Sequence, residues 1–231
     1  MVVDVEMGWR HLLFEHYPVD PAVVAPHLPT GLAPDTYDGD AWLSVVPFTN
    51  VDVRPAGVPP WLGFRLPELN LRTYVVHGGD PGVYFFSLDA DGLLGVAGAR
   101  LFHDLPYFYA DADLDVVGGG DPRVRFRSRR RHPGATPAEY AATYRPTGEP
   151  FRPEPGSLAA FLVERYCYFA ATPDGIRRAD VDHERWPLRA ATADVERNTL
   201  FCANGFETPD ADPIRHYSRG FDVRASRSRP V

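Results

Sequence analysis

The chain has 231 residues, 44% apolar and 13% aromatic, with a formal charge of −7, which fits one domain spanning 1–231 with a sizeable core. The acidic balance argues against a general nucleic-acid binder, which needs basic surface to neutralise phosphate. All 24 basic residues are arginine, which excludes lysine Schiff-base catalysis, and 24 Pro and 20 Gly without a period favour short strands and turns over long helices.

Asp4, Glu6, Arg10, His11 and Glu15 near the start leave no signal-peptide core. No apolar run approaches the ~18–20 residues of a membrane span. A soluble cytoplasmic protein with no membrane partner is expected. Trp9–Phe14 reads as a strand or a short extended lead-in. Asp20 as N-cap and Pro21 at the first position predict a short helix within Val19–Leu28, with Val23, Val24 and His27 on its buried face. Pro29-Thr30-Gly31 ends it. Asp35–Gly39 is a turn leading into a strand over Ala41–Phe48, whose end or edge Pro47 marks. A proline-rich loop follows, anchored by Trp61.

Pro67–Val76, PELNLRTYVV, is the most informative stretch. At strand period Glu68, Asn70, Arg72 and Tyr74 share one face, and Leu69, Leu71, Thr73 and Val75 share the other. Four different hydrogen-bonding groups in register suit the wall of an enclosed, ligand-sized cavity. The turn at His77–Gly82 and the strand Val83–Ala90 complete a hairpin. A further strand over Val96–Phe102 gives several strands in succession without a helix, which implies an antiparallel meander or barrel.

Leu114–Val117 and Arg123–Arg131 are the next strand candidates. The arginine alternation in the second reads either as a polyanion patch or as a solvated face paired with acidic neighbours. Ala135–Tyr144 pairs back, and Pro146–Pro155 is a connector. Ser157 caps a second helix over Leu158–Val163, and Asp174-Gly175 turns a hairpin between Arg165–Ala171 and Ile176–Val181. Leu188–Val195 resumes as strand, and Phe221–Ala225 is the last one before an Arg/Ser tail. Cys167 and Cys202 lack a CxxC or Cys/His context and read as two small buried residues.

No phosphate loop, HExxH or GxSxG occurs, and the eight histidines are scattered. Neither a metal site nor a cofactor is expected. Three stretches acquire meaning together: PELNLRTYVV, Gly98–Tyr107 (GARLFHDLPY) and Asp182–Leu188 (DHERWPL). With LPTGLAPDTYDGDAWLSVVPF ahead of them and Glu164-Arg165-Tyr166 behind, nearly the whole chain resembles the uncharacterised YqjF-like family of conserved bacterial and archaeal proteins. That family is similar, more distantly, to acetoacetate decarboxylase.

The resemblance implies a mainly β fold, α+β by content, built as an antiparallel β-barrel with two or three short peripheral helices and a ligand cavity. The decarboxylases carry an Arg, an aromatic, a Pro and a Lys-Lys pair whose first Lys forms the imine. Arg100, Phe102 and Pro106 hold the corresponding places here, but Tyr107 stands at that lysine position and Phe108 follows it. The imine mechanism therefore does not carry over.

The residues themselves support a cavity holding a small anionic or carbonyl-bearing molecule. Arg72 and Arg100 suit a carboxylate or enolate. Glu68 is a general acid or base if desolvated and stays ionised if beside an arginine. Tyr107 could donate to a developing oxyanion. Asn70 completes the polar wall, and His103 and His183 are proton-transfer or ligand-contact candidates. Two readings stay open: a cofactor-free acid/base enzyme, and a non-catalytic binder or structural protein with a polar interior. A homo-oligomer is compatible with either.

Overall fold

A computed structural model describes residues 3–92 and 104–231. The strand expected over Val96–Phe102, and the site candidates Arg100 and His103, lie outside the described residues. The strands are β1 (Val3–Arg10), β2 (Leu12–Val19), β3 (Ala33–Pro34), β4 (Ala41–Pro55), β5 (Phe64–His77), β6 (Asp80–Ala90), β7 (Tyr107–Val117), β8 (Arg123–Arg130), β9 (Glu139–Phe151), β10 (Cys167–Thr172), β11 (Gly175–Asp182), β12 (Leu188–Asn198), β13 (Ile214–Ser218), β14 (Asp222–Ser226) and β15 (Arg229–Pro230). Among the described residues three short helices accompany them: α1 (Pro21–Val24), α2 (Leu158–Val163) and α3 (Leu200–Ala203).

Among the described residues the strands form one sheet whose pairings close two rings. One ring runs β4-β5-β6-β10-β11-β14-β1 and back to β4. The other runs β4-β5-β6-β7-β8-β9-β12-β13-β2 and back to β4. The strands β4, β5 and β6 are common to both, so each of their faces looks into a different ring. The second ring is filled by Leu13, Leu43, Val45, Leu69, Leu71, Val124, Phe126, Tyr140 and Tyr144, all nearly or fully buried. The first ring holds a cavity.

This double burial explains β5. Leu69 and Leu71 pack into the filled ring, whereas Glu68 and Asn70, only 4% and 3% exposed, face the cavity ring. The chain crosses between rings at two adjoining points. His11, at φ 57°, separates β1 from β2, and Gly220, at φ 90°, separates β13 from β14. His11 donates its amide to the Arg219 carbonyl and Trp9 donates to that of Phe221. A Cβ on Gly220 would lie 1.9 Å from the Trp9 carbonyl oxygen, so only glycine allows this approach.

Pro47 does not end its strand. β4 runs fifteen residues, and Pro47 falls where its partner on one side changes from β2, paired through Val45, to β1, paired from Thr49. A missing amide donor costs least at such a gap. The antiparallel expectation also needs correction, because β6 pairs in parallel with both β7 and β10. β10 reaches β6 only after β7–β9 and α2 have been built, a long connection of the kind parallel pairing requires.

Other corrections have local causes. α1 is one turn long and gives way to a 3-10 turn over Ala25–His27, with Pro26 inside it. The helical spacing is lost there, and Val23 and His27 are exposed while Val24 is buried. Trp61 is 79% exposed rather than an anchor. β7 is a single strand whose buried Ala110, Ala112 and Leu114 alternate with exposed Asp111, Asp113 and Asp115; small inward residues hid its period. β9 extends to Phe151 through the presumed connector. β13 and α3 went unforeseen, and Cys202 is exposed whereas Cys167 is buried.

The arginine strand resolves simply. Arg125, Arg127 and Arg129 of β8 lie opposite Asp115, Asp113 and Asp111 of β7, so opposite charges alternate across an exposed face. Among the described residues no helix is long and apolar enough to cross a membrane. Ser157 caps α2 as expected, its hydroxyl accepting the Ala160 amide at 3.2 Å. Ser157→Ala should lower unfolding stability by about 1 kcal/mol, checked by urea denaturation.

Candidate active site

A cavity of about 430 Å³ lies in the first ring, bounded by Trp9, Val46, Phe48, Leu66, Phe85, Leu88, Tyr168 and Trp186 among its apolar residues. Its polar groups come mainly from the shared wall: Asn50 from β4, and Glu68, Asn70 and Arg72 from β5, with Tyr107 from β7 beyond β6. Thus Glu68, Asn70, Arg72, Tyr107 and His183, all singled out from sequence, border one space.

Glu68 is the centre of a hydrogen-bonded cluster. Its Oε2 accepts the Tyr107 hydroxyl at 2.8 Å and the Asn50 amide nitrogen at 3.1 Å. Its Oε1 faces the Asn70 Nδ2 at 3.5 Å. Tyr107 can reach it because Ala90, paired with Glu68 on the intervening β6, offers only a methyl group. Burial pushes the Glu68 carboxyl up to about 7, against the opposing pull of the Tyr107, Asn70 and Asn50 donors. Burial, then the charge and hydrogen bond of Glu68, drives the Tyr107 hydroxyl well above its usual range. At neutral pH Tyr107 is a donor, and Glu68 is poised between acid and base.

Arg72 does not touch Glu68. Its Nη2 lies 3.5 Å from the Leu162 carbonyl of α2, and its guanidinium sits 5.4 Å from the Phe14 ring and 5.9 Å from that of Tyr74. Its Nε is buried without a hydrogen-bond partner among the described residues. The same holds for Asn50 Oδ1, Asn70 Oδ1 and Trp186 Nε1. A cation with no carboxylate partner and several open polar atoms on one cavity wall is an arrangement suited to a polar ligand.

His183 occupies the partition between this cavity and a more polar cleft of about 520 Å³; Met7 and Arg54 also line both. Its ring nitrogens face the Glu184 carbonyl at 2.7 Å and the Arg165 carbonyl at 3.2 Å, and the ring stacks on Tyr166 at 4.5 Å. These contacts hold it in the wall. Asn50, Arg165 and Trp186 are cavity residues that strand periodicity at PELNLRTYVV could not identify. Arg165 is tied to Asp35 at 2.6 Å, which distinguishes it from Arg72.

The DUF2071 family, described as an uncharacterized conserved protein, matches residues 6–222. The chain belongs to the DUF2071 family. The uncharacterized protein YqjF of Bacillus subtilis (strain 168) is 41% identical over 216 residues, covering 93% of this chain and 87% of that protein.

Among solved structures, the enduracididine biosynthesis enzyme MppR with HEPES buffer bound superposes with a TM-score of 0.69 at 13% identity, over 99% of this DUF2071 chain and 88% of the enzyme. The same enzyme has been solved complexed with pyruvate. Acetoacetate decarboxylase from Legionella pneumophila gives a TM-score of 0.60 at 14% identity, over 99% and 87% of the respective chains. At such identities the likeness concerns the fold, which is that of acetoacetate decarboxylase-like proteins.

Proposed function

We propose that this chain binds a small anionic or carbonyl-bearing molecule in the cavity of the first ring, which acts as a closed β-barrel around it, and exchanges a proton with that molecule. The observation that carries the reading is Glu68, a carboxyl 4% exposed and pushed by burial up to about 7, on the same wall as the carboxylate-free Arg72. General acid/base chemistry is most effective when the group titrates near the working pH.

In this reading Arg72 holds the anionic group through charge-assisted hydrogen bonds. Glu68 takes a proton from carbon or oxygen near the carbonyl and returns it. Tyr107, hydrogen-bonded to Glu68, donates to oxygen that gains charge, and the apolar walls keep water away. Because all 24 basic residues are arginine, the chemistry uses no lysine imine. Pyruvate bound to MppR and the decarboxylase fold both agree with an oxo acid as ligand class.

The test is proton exchange. In heavy water the protein should accelerate loss of the methyl signal of pyruvate, or of the acidic C–H protons of a panel of 2-oxo and 3-oxo acids, followed by NMR. Glu68→Gln should abolish the acceleration. Arg72→Gln should weaken oxo-acid binding at least ~10-fold, which is ~1.4 kcal/mol, measured by calorimetry. Binding that survives with no exchange across the panel would leave a non-catalytic binder and remove the enzymatic reading.

A further inference from the structure

The open polar atoms of the cavity are of two kinds. The cavity wall carries two open donors, Arg72 Nε and Trp186 Nε1, and two open acceptors, Asn50 Oδ1 and Asn70 Oδ1. The side-chain orientation of Asn50 is fixed by its own partners. Its Nδ2 donates to the Leu66 carbonyl at 3.3 Å and to Glu68 at 3.1 Å, so the oxygen is the atom left open. Asn70 is oriented in the same sense by Glu68. Both residues are nearly sealed from solvent, at 2% and 3% exposure.

A carboxylate or ketone carries acceptors only. It satisfies Arg72 but leaves both amide oxygens unpaired, and an unpaired buried acceptor is costly. Those oxygens need an O–H or N–H from the ligand. Arg72 and Asn70 are two residues apart on one strand face, roughly 6–7 Å, which suits a donor about two carbons from the anionic group. Beyond this polar row the walls are Phe48, Leu66, Phe85, Leu88 and Tyr168, which suit an apolar body larger than that of pyruvate.

The geometry points to an organic acid that carries a hydroxyl or amino donor near its third carbon and an apolar body: the carboxylate lies on Arg72 and the donor lies on Asn50 and Asn70. This rests on the cavity reading above and specifies the class of molecule. A hydroxyl and an amine present the same donor chemistry, and matched ligands separate them.

The experiment is calorimetric titration of the full chain with three acids: 3-phenylpropanoate, 3-hydroxy-3-phenylpropanoate and 3-amino-3-phenylpropanoate. In the unaltered protein at least one of the donor-bearing acids should bind at least ~10-fold more tightly than 3-phenylpropanoate, because a site built for a polar contact rejects the ligand that lacks it. Asn70→Ala should bring that ratio below ~3-fold with little change for 3-phenylpropanoate, and Arg72→Gln should weaken all three. The comparison of ligands needs no variant, so a folding defect in Asn70→Ala cannot obscure it. If the three acids bind within ~3-fold of one another and Arg72→Gln weakens them alike, the donor inference is overturned while the anion-binding cavity stands. If none binds, both fall.

Discussion

Replacing Glu68 by glutamine should make the protein more stable at pH 8 while removing the proton exchange proposed for it. The buried carboxyl is shifted from 4.5 to about 7 in the folded chain. Between those values the folded state holds a proton that the unfolded state has released. Stability therefore falls as pH rises through this window and levels off above it. At ~1.4 kcal/mol per pH unit the ionised form of Glu68 costs on the order of 3 kcal/mol at pH 8.

Glutamine is neutral throughout and keeps an oxygen for the Tyr107 hydroxyl and the Asn50 amide. Urea denaturation should show the variant gaining on the original protein as pH rises from 5 to 8, with little difference at pH 5. A parallel pH dependence in both proteins would mean that Glu68 does not carry the buried charge. Stability surrendered at a cavity wall is the pattern expected where an ionisable group is kept for chemistry.

Asp89→Ala should be the more damaging substitution, lowering stability by about 3–5 kcal/mol. Asp89 and Arg130 form a bidentate pair at 2.6 and 2.8 Å, with side chains only 1% and 3% exposed. Arg130 also lies 4.0 Å over the Phe108 ring and donates to the Thr136 carbonyl at 3.3 Å. Removing the carboxylate leaves this guanidinium buried without its counter-charge. Asp89→Leu combined with Arg130→Met should recover most of the loss, since the pair's attraction barely exceeds the cost of desolvating both charges. Chemical denaturation of the single and double variants measures the difference. A double variant no better than Asp89→Ala would show that packing around Phe108, rather than charge, sets the cost.

Much of the site was legible because strand periodicity is strict. Glu68, Asn70 and Arg72 had to share a face once PELNLRTYVV was read as a strand, and their mixture of acid, amide and cation distinguished that face from a solvated one. Tyr107 stood out through its place in GARLFHDLPY. Asn50 was invisible for the opposite reason: it sits at the far end of an apolar run that Pro47 had seemed to close. Trp186 was noticed in DHERWPL, but no local pattern assigns an interruption between strands to a cavity wall. β13 escaped because Ile214–Ser218 is short and its buried His216 and Ser218 do not look like core residues.

By itself, the sequence determined the mainly β character of the chain, its capped short helices, its family and the polar face of β5, since each depends on residues close together in the chain or on motifs read along it. Only the tertiary structure decided that β4, β5 and β6 are shared by two rings, that β6 has antiparallel β5 on one edge and parallel β10 and β7 at the two ends of the other, and that one ring is filled while the other holds a cavity. Those outcomes depend on pairings between strands far apart in sequence, such as β1 with β14 and β6 with β10, and periodicity within one strand says nothing about its neighbour. The titration of Glu68 was decided at the same level. Arg72 lies four residues away on the same face but does not touch it, so burial outweighs pairing and leaves the carboxyl near neutrality.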